Sequence, residues 1–352
     1  MSAGSVRPSL RVTMPTVTLA HGGGGKAMRD LVADVFAGPF DNPMLAPLED
    51  QARASLAELG YQGDRLAITT DSFVVDPLFF PGGDIGRLAV CGAVNDLAVG
   101  GARPLYLSCA VIIEEGLPVD TLRRVSASMR AAADLAGVAI VTGDTKVVQR
   151  GAADRLFVTT TGIGVIPRGI SMAASHLEPG DRIVVNDFLG DHGIAILAAR
   201  GDLDFETDLR SDCRPLHDLV RVMLDACPEI RAMRDVTRGG LAAVLNEFAT
   251  ASACAIEIDE RALPLRPEVR SAAELLGLDV LYLASEGALA AAVPAAVSER
   301  VLAAMRAHPD GASARVIGEV YPGAPPRVVM RTAFGGSRVV DMLVGEQLPR
   351  IC

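Results

Sequence analysis

Tryptophan is missing from this 352-residue chain, and no two of its six cysteines form a C-x-x-C pair. The second absence excludes a zinc ribbon and a thioredoxin-like redox motif. No apolar run approaches the ~20 residues of a membrane span. The opening "MSAGSVRPSLRVTMP" lacks the apolar region of a signal peptide. A cytoplasmic protein with reduced thiols and no membrane partner is therefore expected. An excess of basic residues is missing too. The net charge is −10 and the acidic residues are spread along the chain, which argues against a nucleic-acid partner. A polyphosphate ligand would need a divalent metal beside it.

Half of the residues are hydrophobic, with Ala, Val, Leu and Gly prominent. That composition and length favour two packed α/β (α+β) domains. "KAMRDLVADVFA" has helical periodicity behind a glycine run, and "DRLAITTDSFVV" has the β-branched content of a strand. "DIGRLAVCGAVNDLAVGGA" is a helix closed by glycines. "VAIVTGDTKVV" is expected to be a buried strand running into a Gly-Asp turn. The pattern breaks at "PRGI" near Arg168 and resumes as a second α/β set. The expected organisation is a loose extension over 1–16, an N-terminal domain over 17–167, a C-terminal domain over 168–335 and a tail over 336–352. "GGDIGRLAV" and "LGDHGIAIL" resemble each other, a hint of two related halves.

Several constellations carry candidate chemistry. In "HGGGGK", Gly22, Gly23, Gly24 and Gly25 can turn backbone N–H groups toward an anion, with Lys26 next to them. Ala20 and Ala27 break the Walker A pattern, and a flexible hinge is the alternative. Asp71 (with Ser72), Asp96, Asp144 and Asp235 are hard oxygen donors near strand ends and turns. They are either turn and cap aspartates or a magnesium–nucleotide set. Lys146, after Gly143, Asp144 and Thr145, and Glu286, in "LYLASEGALA", are charges in apolar stretches. Each is either an ion-pair member or a proton-transfer group tuned by burial. Arg238 and Gly239 open a helix that could meet an anion or simply be capped by Thr237. His192 in "GDHG" is an isolated residue at a helix start. Five cysteines sit in apolar or helical surroundings and are expected in the core. Cys352, at the end of "EQLPRIC", stands apart.

The ordered set "AHGGGGK", "TTDSFVVDPLFFPGGDIGRLAVCGAVNDLA", "VTGDTKVV", "GDHG", "MRDVTRGGL", "LYLASEG" and "PRIC" resembles the HypE family of hydrogenase expression/formation proteins. The resemblance runs from about Val17 to Cys352. It implies a two-domain aminoimidazole ribonucleotide synthetase-like fold with a flexible C-terminal tail, and a homodimer sharing a barrel. It implies ATP and Mg2+ as cofactors and Cys352 as carrier of a carbamoyl group, loaded by the carbamoyltransferase HypF. ATP-driven dehydration of that thiocarboxamide would leave a thiocyanate, a cyano group destined for a HypC–HypD scaffold complex. Lys146 and Glu286 become candidates for proton transfer, Asp71, Asp96, Asp144 and Asp235 candidate metal ligands, and Asp84 and Asn95 candidate nucleotide neighbours. Ser285 and Val236 stand where the family usually has Asn and Pro. The tail fits a carrier role, because residues 336–352 reach about 55 Å when extended. The alternatives are another ATP-using synthetase or small-molecule kinase of the superfamily, or a non-catalytic carrier.

Overall fold

The computed structural model describes residues 11–48, 51–201, 207–323, 325–343, 345 and 348–352. In chain order the first half contains α1 (Lys26–Leu31), continued as a π-helical turn over Val32–Ala37, and α2 (Leu56–Gly60). There follow β1 (Arg65–Phe73), a small hairpin of β2 (Phe79–Phe80) and β3 (Gly83–Asp84), and α3 (Ile85–Val99). β4 (Arg103–Glu114), α4 (Val119–Ala136), β5 (Ala139–Val148) and β6 (Leu156–Ile166) complete it. The second half contains β7 (Arg182–Val185), α5 (Asp191–Ala199), α6 (His217–Ala226), β8 (Ala232–Asp235), α7 (Gly240–Ser252) and β9 (Cys254–Asp259). It continues with α8 (Pro267–Leu276), β10 (Leu289–Val293), α9 (Ser298–Arg306), β11 (Arg315–Pro322), β12 (Arg327–Arg331) and β13 (Ser337–Val340).

A four-stranded sheet of order β1-β6-β4-β5 forms the first half, and a seven-stranded sheet of order β13-β12-β9-β11-β7-β10-β8 forms the second. The helix α4 shows why one face is enough to dock a helix. Leu122, Val125, Met129, Ala132, Ala133 and Ala136 recur at helical spacing and are buried, and Gly137 closes the helix in the left-handed region. In α3, by contrast, nearly every side chain is small or apolar and buried. It packs on β1, β6 and α4 on one side and on α6 and β8 of the second half on the other. Burial all round makes α3 the beam on which both halves meet.

Two expectations change. "GDTK" does not turn: β5 runs unbroken through Gly143 and Asp144, paired in parallel with β4. The extension expected over 1–16 is anchored over its described residues. Val12 N–H donates to Asp34, Arg123 donates to the Val12 carbonyl, and Thr16 bridges Pro118. The rest of it lies outside the described residues. After Gly336 the short strand expected in "SRVVDML" is present as β13, an edge strand paired to β12. Only beyond Val340 does the chain leave the sheet. Residues 348–352 return to the cleft between the halves, where Ile351 is buried among core residues of the first half.

Candidate active site

Cys352 and Glu286 meet in that cleft. The half-buried Cys352 thiol lies beside the Glu286 carboxyl, with Asp71 and Arg238 also close enough for their charges to act on it. Burial, then the Glu286 charge, holds the thiol well above its ordinary value. Glu286 is 2% exposed. Burial, then Asp235, Asp212, Asp71 and Cys91, pushes its carboxyl well above the usual range.

The chain aims Glu286 by its backbone. Asp212 accepts the N–H groups of Glu286 and Gly287, each at 3.0 Å, and Asn95 Nδ2 donates to the Glu286 carbonyl at 3.3 Å. Gly287 is required there, since a Cβ would lie 2.0 Å from the Asp212 carbonyl oxygen. Ser285, one of the departures from the family pattern, is fully buried and accepts Gly190 N–H at 2.8 Å, tying this turn to the start of α5. Val236, the other, is buried and pairs its backbone with Ala288 and Ser285.

The aspartates divide. Asp71 on β1, Asp96 on α3 and Asp235 at the end of β8 share one neighbourhood. Burial and then the Asp96 and Asp71 charges push Asp235 to about 7. Burial and the Asp96 charge raise Asp71, against the opposing effects of Ser72 N–H and Arg238. Asp96 is raised by burial although Thr69 donates to it at 2.6 Å. Asp144 stands apart, because it is on β5 and Asp71 is on β1, the opposite edges of the sheet. Three strand spacings separate them, about 14 Å. Lys146 shares that far edge, largely exposed and 4.0 Å from Asp144. Within one chain the structure does not bring Lys146 or Asp144 to Glu286.

Other expected contacts also have structural duties. Asp84 caps α3, accepting Gly86 and Arg87 N–H at 2.8 and 3.2 Å. The Asn95 amide bonds inside the protein, donating to the Arg214 carbonyl and accepting Leu216 N–H. Lys26 pairs with Asp30 one turn along α1. Gly22 lets the loop pass β5, where a Cβ would meet that of Val147 at 2.8 Å, while Gly24 is in the left-handed region at φ 75°. Gly23 and Gly25 complete this turn into α1. Ser72 bonds Thr159 across the sheet. Gly143, Asp144 and Thr145 line a cavity of about 440 Å³ shared with Met28, Phe36 and Cys109. Gly143 is dictated by strand pairing, since a Cβ would lie 2.3 Å from the Cys109 carbonyl oxygen. Gly143→Ala is therefore expected to cost about 1–3 kcal/mol. A thermal melt equal to wild type would remove that explanation. Arg238 and Gly239 stand at the start of α7, with Arg238 beside Asp71.

Sequence reading passed over Asp212 and gave His192 no role beyond its place at a helix start. A carboxylate in "SDC" and a histidine in "GDHG" carry no signal until their partners, distant in sequence, are in place. His192 is fully buried and bonds Ser211 and the Ile351 carbonyl.

Known proteins share this arrangement over nearly the whole chain. Residues 50–166 match the N-terminal domain of AIR synthase related proteins and residues 178–331 their C-terminal domain. Carbamoyl dehydratase HypE of Rhodobacter capsulatus is 61% identical over 336 residues, covering 96% of this chain and 98% of the relative. A crystal structure of the hydrogenase maturation protein HypE in complex with ATP superposes with a TM-score of 0.89 at 48% identity, covering 95% of this chain and 99% of that one. HypE in a crystal structure of a HypE–HypF complex matches with a TM-score of 0.77 at 44% identity, covering 89% and 99%. With 61% identity to a carbamoyl dehydratase HypE over 96% of the chain and both AIR synthase related domains matched, the chain belongs to the HypE family of carbamoyl dehydratases.

Proposed function

We propose a division of labour among these residues for the reaction that family membership sets. That reaction is the ATP-dependent dehydration of a carbamoyl group carried on Cys352, which supplies cyanide ligands for nickel–iron hydrogenase. The observation that carries the assignment is the Cys352 thiol set against the buried Glu286 carboxyl, beside Arg238 and Asp71. The carried group is a thiocarboxamide, S–C(=O)–NH2. Phosphoryl transfer from ATP to its oxygen turns a poor leaving group into phosphate and releases ADP. Loss of both N–H protons and breakage of the C–O bond then release phosphate and leave S–C≡N. Glu286 takes a nitrogen proton, because a carboxylate destabilised by burial is a stronger base than one in water. Arg238 meets the transferred phosphoryl group.

Asp71, Asp96 and Asp235 would hold Mg2+, which supplies neutralisation of phosphate charge when bound. Their oxygen donors and mutual repulsion fit a dication. No three metal-binding side chains among the described residues are close enough to hold an ion unaided, so phosphate and water oxygens would complete the shell. Lys146 and Asp144 act from a second copy. Among the described residues both edges of the four-stranded sheet are unpaired, and Ile68 and Leu66 on β1 are 71% and 53% exposed. Two such sheets close into a homodimeric barrel. With β5 of one copy beside β1 of the other, Lys146 approaches the neighbouring Asp71.

The seat disfavours the Cys352 thiolate, so the thiol attacks its carbamoyl donor with the tail undocked, at HypF. After dehydration the tail presents the cyano group to a HypC–HypD scaffold complex. We place these encounters in the cytoplasm; among the described residues no helix is long and apolar enough to cross a membrane. Intact-mass spectrometry with a carbamoyltransferase, carbamoyl phosphate and MgATP tests the reaction. The chain gains one carbamoyl mass and then loses one water, both mapping to Cys352. A carbamoyl adduct that ATP never dehydrates would leave only a carrier.

A further inference from the structure

The tail is held in the cleft by its side chains, with Ile351 buried in the first-half core and Arg350 paired to Asp154 and Asp76, and also by its main chain. Arg200 donates to the Pro349 carbonyl and, at 2.6 Å, to the Arg350 carbonyl, while its Nε–H donates to the Asp76 carbonyl. Asp76 N–H donates to the Arg350 carbonyl at 3.2 Å. The next carbonyl, that of Ile351, faces His192 Nε2 at 2.7 Å. Three successive carbonyls are thus captured, the last of them immediately before Cys352.

The tautomer of His192 follows from its two partners. A carbonyl oxygen can only accept, so Nε2 carries the hydrogen and donates to Ile351. Ser211 Oγ accepts Cys213 N–H at 3.1 Å, which leaves its own hydrogen for His192 Nδ1 at 2.8 Å. Burial holds the imidazole below its ordinary pKa, in keeping with one donor nitrogen and one acceptor. The Phe80 ring stands edge-on to the imidazole, 5.6 Å between centroids. Ser211 belongs to the same loop as Asp212, which grips the backbone of Glu286 and Gly287. One loop therefore orients both the imidazole that holds the tail and the carboxyl that meets its thiol.

We infer that His192 is a positioning residue that fixes the register of the docked tail: its Nε2–H holds the Ile351 carbonyl and thereby sets the group carried on Cys352 against Glu286. This rests on the dehydratase reading above for its catalytic consequence, though not for the docking itself. One peptide unit separates the held carbonyl from the Cys352 Cα, so a shift at one is passed to the other. Misplacement of a reacting group by about 1 Å costs on the order of 100-fold in rate.

The test separates the steps in the full-length chain. The carbamoyltransferase loads Cys352, MgATP is added, and each step is followed by mass. In His192→Asn the amide N–H stops short of the Ile351 carbonyl, and single-turnover dehydration falls by about 100-fold with carbamoyl loading no slower and the KM for ATP unchanged. In His192→Gln the longer amide reaches the carbonyl and recovers most of the rate. Alkylation of Cys352 by N-ethylmaleimide, without ATP, is faster in His192→Asn than in wild type and returns toward wild type in His192→Gln. Dehydration at the wild-type rate in His192→Asn would overturn the proposal. So would equal loss in the two variants with wild-type melting temperatures. If wild type itself never dehydrates, the functional reading fails, and alkylation alone decides the seat: equal rates in all three proteins overturn it.

Discussion

Glu286→Gln is expected to slow dehydration of the carbamoylated chain by about 10²–10⁴-fold, the usual worth of a positioned general base, while carbamoyl loading of Cys352 proceeds normally. The side chain differs by one group, and the backbone grip of Asp212 and Asn95 on this turn is untouched. The pH dependence follows from burial and from Asp235, Asp212 and Asp71, which raise the carboxyl well above its ordinary value. The base form therefore grows as pH rises, over a range displaced above that of an ordinary carboxylate. Wild-type dehydration climbs with pH, and the glutamine variant is flat. A wild-type rate that falls over the same range would make Glu286 an acid. Stability has the matching sign. A carboxyl raised in the folded state makes folding less favourable as pH rises from its unfolded value, 4.5, through the folded one. Glu286→Gln should consequently melt no lower than wild type at neutral pH and above, as circular dichroism would show.

Asp235→Asn is expected to move two measurements in opposite directions. ATP-dependent turnover falls by about 100-fold or more, as happens when a charge stabiliser at a phosphoryl-transfer site is lost. The melting temperature in metal-free buffer rises. Burial, with Asp96 and Asp71, pushes Asp235 to about 7, so its charge is a cost that the fold carries when no cation is present. Solvent reaches part of this half-buried residue, and a gain on the order of 1 kcal/mol, or about 1–2 °C for a chain of this length, is the appropriate scale. A variant that loses both stability and turnover would make Asp235 a structural residue. Turnover kept at the wild-type level would remove it from the metal set.

Local pattern made much of the architecture legible. The Leu122–Ala136 spacing in α4 and the β-branched content of β1 each describe a segment that buries one face. The glycine runs, the aspartates and Cys352 could be singled out because few folds need such residues in that order. Their duties were less legible. Asp71 and Asp144 look alike in sequence, each in a Thr-rich setting, yet the strand order puts them at opposite edges. Asp84 looks like a ligand and is a helix cap, while Asn95 looks like a nucleotide contact and ties α3 to the Arg214–Leu216 segment. His192 looked idle because its partners lie 19 and 159 residues away.

By itself, then, the sequence determined the α/β class, the family and the residues able to do chemistry. Those depend on side-chain periodicity, on glycine's freedom and on which groups ionise, all properties of short segments. Tertiary structure alone decided that Glu286 is buried against Cys352, that Asp235 has carboxylate neighbours, and that Lys146 lies on the edge strand farthest from β1. Those facts depend on desolvation and on charges acting over a few ångströms, and distance through space is set only when α3 brings the two sheets together.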